Sequence, residues 1–417
     1  MFIRVPKGTQ DILPEDISKW YYIEGMIKEI LSKYGYKEIR TPFFEYTDLF
    51  VRGIGESTDI VTKEMFTFPD RKGRSLTLRP EGTAPVVRAY LEGSMGRTSK
   101  VIKLFYIGPM FRCEKPQAGR FRQFNQFGIE IIGTKSPAAD AEVIITVLDI
   151  YKKLGLKNLE ILINSVGCKK CRVDYVKKLK KYLINKKDLL CSECKERYTK
   201  NPLRVLDCKK DSCKKIIESA PVITENLCQE CKSHFAQVKS CLDDQKIIFR
   251  ENPQLVRGLD YYTKTAFEII SGGLGAQNAI GGGGRYDDLV EELGGKPTPA
   301  VGFAAGIERM IITIDQQKIE WPAEKRLDIF VANIDKKNND TAFRLLQKIR
   351  NAGFSADMDY SEGSLKSQMR IANKIGARYT IIVGEEELSK NMVILRNMKT
   401  KEQKEVRIDN LINELRE

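Results

Sequence analysis

The chain holds a single histidine, His234, and it lies among cysteines rather than beside any candidate catalytic side chain. Serine–histidine and cysteine–histidine mechanisms are therefore not expected in the rest of the molecule. No Gly-x-x-x-x-Gly-Lys-Ser/Thr segment occurs, so a nucleotide must be gripped by something other than a P-loop. The run Gly281-Gly282-Gly283-Gly284 lacks the strand–Gly-x-Gly-x-x-Gly–helix context of a dinucleotide site. No apolar stretch approaches the ~20 residues that cross a bilayer. The opening residues, Met1 to Gly8, also lack the apolar stretch of a signal peptide. Internal repeats and long low-complexity tracts are absent too. A cytoplasmic address is expected, where ten cysteines serve as thiols or metal ligands rather than disulfides.

What is present fits a soluble globular chain. With 417 residues, 42% hydrophobic and 30% charged, it is too long for one core, and two or three domains are expected. The net charge of +14 is unevenly placed: residues 168–250 carry 21 Lys and Arg against 11 Asp and Glu. Two readings stand open, a solvated cationic surface or a footprint for nucleic-acid phosphates.

Apolar residues at helical spacing (Trp20, Ile23, Ile27, Ile30, Leu31) predict a helix over 15–34, stopped by Gly35. Short strand-like runs follow at 38–42, 75–78, 99–107, 121–132 and 159–166, which suggests an antiparallel α+β sheet domain. From Gly167 to about Leu242 the texture changes to cysteine pairs and lysine-rich helical segments. Strand texture then resumes at 246–249 and 263–270, and a helix with Ile307-Glu308-Arg309-Met310 closes the domain. Beyond Trp321-Pro322-Ala323, strands (327–334, 355–359, 379–383, 392–397) alternate with helices (340–351, 365–375, 408–415), the pattern of a small α/β unit. The expected domains are a core of 1–320, an insertion of 168–245 within it, and a terminal unit of 326–417.

Several arginines sit beside carboxylates, amides and tyrosines. Arg79-Pro80-Glu81-Gly82-Thr83 closes a strand, and Arg112 precedes a polar loop, Lys115–Arg120, that returns into Phe121–Glu130. Gln126 and Glu130 share one strand face, because side chains alternate with period two, and Arg112 faces them across the hairpin. Arginine suits phosphate through its planar, always-charged fork. Phosphoryl chemistry needs charge placed at the transition state more than covalent help. Singly, each of these arginines reads equally well as an ion-pair partner.

Together these segments resemble the class II aminoacyl-tRNA synthetases, and within them the histidyl-tRNA synthetases. The likeness runs from Lys7-Gly8-Thr9-Gln10-Asp11-Ile12-Leu13-Pro14 into the terminal unit. Leu255-Val256-Arg257-Gly258-Leu259-Asp260-Tyr261-Tyr262-Thr263 and Ile280–Asp287 look like the two histidine-specific signatures. The helix leading to Pro42 is similar to motif 1, Arg112–Glu130 to motif 2, and Gly302–Arg309 to motif 3.

The resemblance implies ATP-dependent activation of L-histidine and its transfer to tRNA(His), with magnesium accompanying ATP. It also implies a homodimer, joined through motif 1, with which the first helix's apolar face is compatible, and an anticodon-binding terminal unit. Arg112 and Arg257 would be catalytic, the latter as a cation on the α-phosphate where other class II enzymes place a metal. Arg112, Arg120 and Arg309 would hold ATP. Glu81 and Thr83 would take the α-amino group and Gln126 the carboxylate side. Glu130 and Tyr262 would read the two imidazole nitrogens, with Tyr261 beside them and Tyr286 closing the pocket. Apart from the resemblance, the insertion's positive surplus makes it a candidate clamp on the tRNA acceptor arm. The rival from another class is a non-catalytic histidine-sensing subunit of ATP phosphoribosyltransferase, which typically loses the ATP-handling arginines and the terminal domain that this chain keeps.

Nine cysteines fall within 168–241. Cys168-x-x-Cys171, Cys191-x-x-Cys194 and Cys228-x-x-Cys231 have zinc-knuckle spacing, with Cys208 and Cys213 between them. Either Cys191, Cys194, Cys228 and Cys231 hold a structural zinc, or these are ordinary thiols. His234 is expected on the surface or as an alternative metal ligand.

Overall fold

The computed structural model describes residues 2–116, 119–272, 278–323, 326–361 and 363–416. Its first helix, Pro14–Lys33, has Pro in the opening turn, Glu15 and Asp16 at its positive end and Lys33 at its negative end. Gly35, at φ +75°, turns the chain out of it. The five apolar residues read from the spacing are all buried, and they pack into the main core of the same chain. The helix's apolar face thus serves the chain's own core.

That core lies against an eight-stranded sheet. In spatial order the strands are Lys37–Glu38, Ile102–Phe111, Gln123–Ile132, Ala300–Gly306, Ala279–Arg285, Thr263–Ser271, Leu159–Ser165 and Arg250–Glu251. Only the two outermost pairings are parallel. The period of two divides the faces. Phe127, Ile129 and Ile131 enter the helix-covered core with Pro14–Lys33 and Pro137–Lys153, while Phe124 and Ile132 join the opposite cluster beneath helix Thr83–Glu92. Gln126 and Glu130 share that second face. The fold is α+β, as the strand texture indicated.

Two predicted strands shift. The run at 38–42 pairs only over Lys37–Glu38, and pairing at the far edge begins at Arg250 rather than 246. A separate three-stranded antiparallel sheet, Phe44–Tyr46, Ser75–Leu78 and Phe66–Pro69, is tied to helix Thr83–Glu92 by the Glu45–Arg88 ion pair.

The glycine-rich strand Ala279–Arg285 is central although glycine weakens strands. A Cβ on Gly281 would lie 2.2 Å from the Phe303 ring, and one on Gly282 would lie 2.3 Å from Arg257 Nη2. Side chains are excluded on one face by an aromatic core and on the other by a guanidinium.

The insertion leaves the sheet after Leu159–Ser165 and carries helices Lys169–Ile184, Ser192–Lys200, Asp211–Glu218 and Gln229–Asp244. It has its own core around Tyr175, Leu179, Leu183, Val205 and Ile217. Its last helix, however, sends Phe235, Val238 and Leu242 into the main core. Residues 1–321 form one compact unit and 322–417 a second.

The second unit has a five-stranded sheet in the order Ala356–Met358, Ile329–Asn333, Tyr379–Val383, Met392–Asn397, Gln403–Arg407. The first three strands are parallel and the last two antiparallel. Apolar clusters cover both faces, as parallel strands require.

Candidate active site

Arg112 stands where strand Ile102–Phe111 ends, its N–H bonded to Arg122 O at 2.8 Å across the mouth of the hairpin. Its Nε donates to Pro80 O at 2.9 Å, and its guanidinium lies over the Phe124 ring. Glu114 sits between two arginines, 2.9 Å from Arg120 Nη1 and 3.8 Å from Arg112 Nη1. Gln117 and Ala118 of this loop lie outside the described residues. Arg309, in the first turn of helix Ile307–Gln316, donates to the carbonyls of Gly119 and Ala279. Burial, then the charge of Arg120, loosens its hold on its proton. Arg257 donates to Glu268 Oε1 at 2.6 Å, from the segment that leads out of the insertion.

These four arginines and Gln126 line one pocket of about 870 Å³. Four buried polar atoms on its walls have no protein partner: Gln126 Oε1, Arg197 Nε, Arg257 Nε and Glu308 Oε2. Buried polar groups are nearly always bonded, so a pocket that leaves four unmatched is prepared for a polar ligand. Glu308 takes Asn125 N at 2.7 Å on its other oxygen, and burial pushes its carboxyl up to about 7.

The remaining candidates form a sealed cluster next to the pocket. Glu81 accepts from the N–H groups of Thr83 and Ala84 at 2.7 and 2.8 Å, capping helix Thr83–Glu92, and burial raises its carboxyl. Thr83 Oγ1 donates to Glu130 Oε1 at 2.8 Å, and the Tyr286 hydroxyl donates to Glu130 Oε2. Glu130 is wholly buried, and burial outweighs these two donors and pushes its carboxyl up to about 8. A Cβ at Gly302 would come 1.7 Å from Glu130 Oε2, so this glycine in the motif 3 segment makes room for the carboxyl. The Tyr261 ring packs on those of Tyr262 and Tyr286, with centroids 4.7 and 5.6 Å away. Thus Arg112, Arg120, Gln126, Arg257 and Arg309 face the pocket, while Glu81, Thr83, Glu130, Tyr261 and Tyr286 are buried behind it.

Sequence reasoning left several participants unassigned. Glu268 pairs with Arg257 because strand register sets it opposite Gly282, the residue that admits the guanidinium. From the insertion, Arg197, Arg204, Asp207, Lys209 and Lys210 also line the pocket; their charge was visible, their location was not. Arg285, in the glycine signature, is wholly buried and paired with equally buried Asp140. Asp140 also accepts from Thr265 Oγ1 at 2.6 Å and His234 Nε2 at 2.8 Å. Burial alone would raise this carboxyl, but His234 and Arg285 outweigh it and hold it below its ordinary value. His234 is therefore neither a surface residue nor grouped with the cysteines, because the helix carrying it packs onto helix Pro137–Lys153.

The cysteines form two quartets rather than the expected one. Cys168, Cys171, Cys228 and Cys231 make the first, and Cys191, Cys194, Cys208 and Cys213 the second, each with all Sγ atoms within 4.8 Å of one another. The set Cys191, Cys194, Cys228 and Cys231 is split, since helix packing brings Cys228 to Cys168 (3.9 Å) and Cys191 to Cys208 (3.9 Å).

Comparison with known proteins gives a consistent result. A family description, Histidyl-tRNA synthetase, matches residues 8–310, and another, Anticodon binding domain, matches 328–417. The histidine–tRNA ligase of Caldanaerobacter subterraneus subsp. tengcongensis is 52% identical over 411 residues, 99% of each chain. The crystal structure of the apo S. aureus histidyl-tRNA synthetase superposes with a TM-score of 0.84 at 43% identity, covering all of both chains. A Bacillus halodurans structure described as an ATP phosphoribosyltransferase regulatory subunit/histidyl-tRNA synthetase has a TM-score of 0.66 at 21% identity, covering 91% of this chain and 97% of that one, and shares the fold.

Proposed function

The chain belongs to the histidyl-tRNA synthetase family, and from that premise we propose how its residues divide the work. It is a histidine–tRNA ligase: it joins L-histidine to ATP as histidyl-adenylate, releasing pyrophosphate, then passes the histidyl group to the 3′ end of tRNA(His), releasing AMP. The regulatory alternative is disfavoured, because relatives about half identical over the whole chain are ligases.

The observation that carries the assignment of residues is the convergence of Arg112, Arg120, Arg257 and Arg309 on one pocket with unmatched atoms on Gln126 and Arg257. Histidine's carboxylate attacks the α-phosphorus, and Arg112 and Arg257 stabilise the charge that develops there. Arg120 and Arg309 hold the outer phosphates, and Gln126 positions the amino acid's carboxylate. No protein nucleophile takes part. Magnesium, when bound with ATP, would neutralise outer phosphate charge. Among the wall carboxylates, Glu114 is the oxygen donor nearest the arginines assigned there, and magnesium commonly needs only one or two such ligands beside phosphate.

Glu81 and Thr83 serve the α-amino group. Glu130 and Tyr262 read the imidazole, with Tyr261 and Tyr286 enclosing it. Each Glu130 oxygen keeps a lone pair after its bond from Thr83 or Tyr286. Because Glu130 is buried, the ring reaches it only when the adjoining tyrosine layer gives way. A look-alike that leaves these groups unpaired forfeits binding, which supports discrimination without editing.

Residues 1–320 act as the catalytic core with the 168–245 insertion, which clamps the acceptor arm, and 326–417 read the anticodon. The enzyme works in the cytoplasm as a homodimer; exposed Phe43, Phe44, Tyr46 and Phe68 around the three-stranded sheet supply an apolar surface for it. The test is ATP–pyrophosphate exchange with each of the twenty amino acids. Exchange with histidine alone is expected; binding of histidine without exchange would return the regulatory reading.

A further inference from the structure

Eight cysteines of the insertion lie in two quartets, and all eight are free thiols. A zinc ion with Zn–S bonds of about 2.3 Å sets its four sulfurs about 3.8 Å apart along the edges of a tetrahedron. Three sulfur pairs match that edge: Cys168–Cys171 at 3.6 Å, Cys168–Cys228 at 3.9 Å and Cys191–Cys208 at 3.9 Å. Three pairs repeat one local design. Cys168, Cys191 and Cys228 are the residues before helices Lys169–Ile184, Ser192–Lys200 and Gln229–Asp244, and Cys171, Cys194 and Cys231 lie one turn in. Backbone N–H groups already point at sulfur, Cys228 N to Cys171 Sγ at 3.1 Å and Cys191 N to Cys213 Sγ at 3.3 Å. A tetrathiolate zinc centre carries two net negative charges. The helix N-termini and the insertion's cationic surplus offset them.

The second quartet touches the pocket. Cys208 is part of its wall, and Cys194 and Cys208 bracket the segment that carries Arg197, Asn201 and Arg204. Arg197 pairs with Asp59 at 2.8 Å. Arg204 donates to Gly258 O at 2.6 Å and to Asp260 Oδ1 at 3.2 Å, and Asn201 also reaches Asp260, at 3.0 Å. Gly258 follows Arg257 directly, so this segment braces the turn that presents a pocket arginine.

We propose that each quartet binds one zinc ion, and that the zinc on Cys191, Cys194, Cys208 and Cys213 holds Arg204 against the Arg257–Asp260 turn and so shapes the pocket. The other zinc, on Cys168, Cys171, Cys228 and Cys231, fastens the insertion where it leaves the sheet. Arg204 is a positioning residue; its part in the argument rests on the reading of the pocket given above, and the metal count does not.

Elemental analysis of the full chain, purified without chelator, should find two zinc ions per chain. Cobalt substitution should give the visible and near-ultraviolet bands of a tetrathiolate. On the native chain a thiol reagent should reach only Cys113 and Cys241 quickly. Zinc well below one per chain, iron in its place, or rapid reaction of the insertion's thiols would overturn the metal sites. Cys208→Ser and Cys168→Ser should each leave one zinc. Histidine-dependent exchange should fall about tenfold in Cys208→Ser, with a raised KM for ATP, and much less in Cys168→Ser. Equal losses, with both variants folded by circular dichroism, would overturn the bracing role. Arg204→Lys should keep both metals yet reproduce the KM change; an unchanged KM would also overturn it. A native chain with two zinc ions but no exchange would refute the functional reading and leave the metal sites standing.

Discussion

Two carboxylates of the catalytic unit are equally inaccessible to water and titrate in opposite directions. Glu130 faces the hydroxyls of Thr83 and Tyr286, and burial raises its carboxyl to about 8. Asp140 suffers the same burial, yet His234 and the Arg285 guanidinium hold it below its ordinary value. Burial sets the cost of charge, and a full positive partner decides whether that cost is met. One region is a neutral hydrogen-bonded cluster beside the arginine-lined pocket. The other is an ionic clasp joining helix Pro137–Lys153, the end of the glycine strand and the last helix of the insertion.

The largest effect is expected from opening the clasp. Arg285→Met leaves Asp140 charged, buried and short of its main partner, and should cost the catalytic unit about 3–5 kcal/mol. Denaturant unfolding measures it. Adding Asp140→Leu should recover much of the loss, because the unpaired charge is then gone. A single variant as stable as the parent would show that His234 and Thr265 suffice. For Asp140 the sign is the usual carboxylate one: its contribution is present above an ordinary pKa of 3.8 and is lost as pH falls through the lower folded value.

Glu130 gives the opposite slope. With a folded value near 8 and an ordinary value of 4.5, the folded chain holds a proton that the unfolded chain has released. Its contribution is therefore complete below pH 4.5 and is lost as pH rises through about 8. Glu130→Gln should be nearly neutral for stability at pH 7 and should flatten this decline, as thermal unfolding across the range would show. The same variant should lose about 1–3 kcal/mol in kcat/KM for histidine, since an amide cannot meet every partner the carboxyl serves. A parent whose stability is flat between pH 5 and 8 would remove the distinction between the two regions.

The two regions also differed in how far they could be read from residue order. Helix Pro14–Lys33 was legible because five apolar residues repeat at helical spacing, and Gln126 and Glu130 fell on one face by simple alternation. The Asp140–Arg285 pair was not, because nothing local ties residues 145 positions apart until the sheet order is known. The cysteines failed for a related reason. Three identical C-x-x-C pairs allow several groupings, and Cys208 and Cys213 have a wider spacing that concealed their part. Strand Gln403–Arg407 was missed because only Val406 is buried, which leaves almost no apolar signal.

The smallest prediction compares two threonines. Thr83 Oγ1 donates to Glu130 at 2.8 Å and Thr265 Oγ1 donates to Asp140 at 2.6 Å, and both side chains are buried. Valine keeps the shape and removes the hydroxyl in each case. Hydrogen bonds to a charged acceptor contribute about 1.5–3 kcal/mol and neutral ones about 0.5–1.5. At pH 7 Thr265→Val should therefore be the costlier change by about 1 kcal/mol. Above pH 8 Glu130 loses its proton, Thr83 gains a charged acceptor, and the gap should close. If the two variants are equally costly already at pH 7, the Glu130 carboxyl is ionised at neutrality, and the two regions are electrostatically alike.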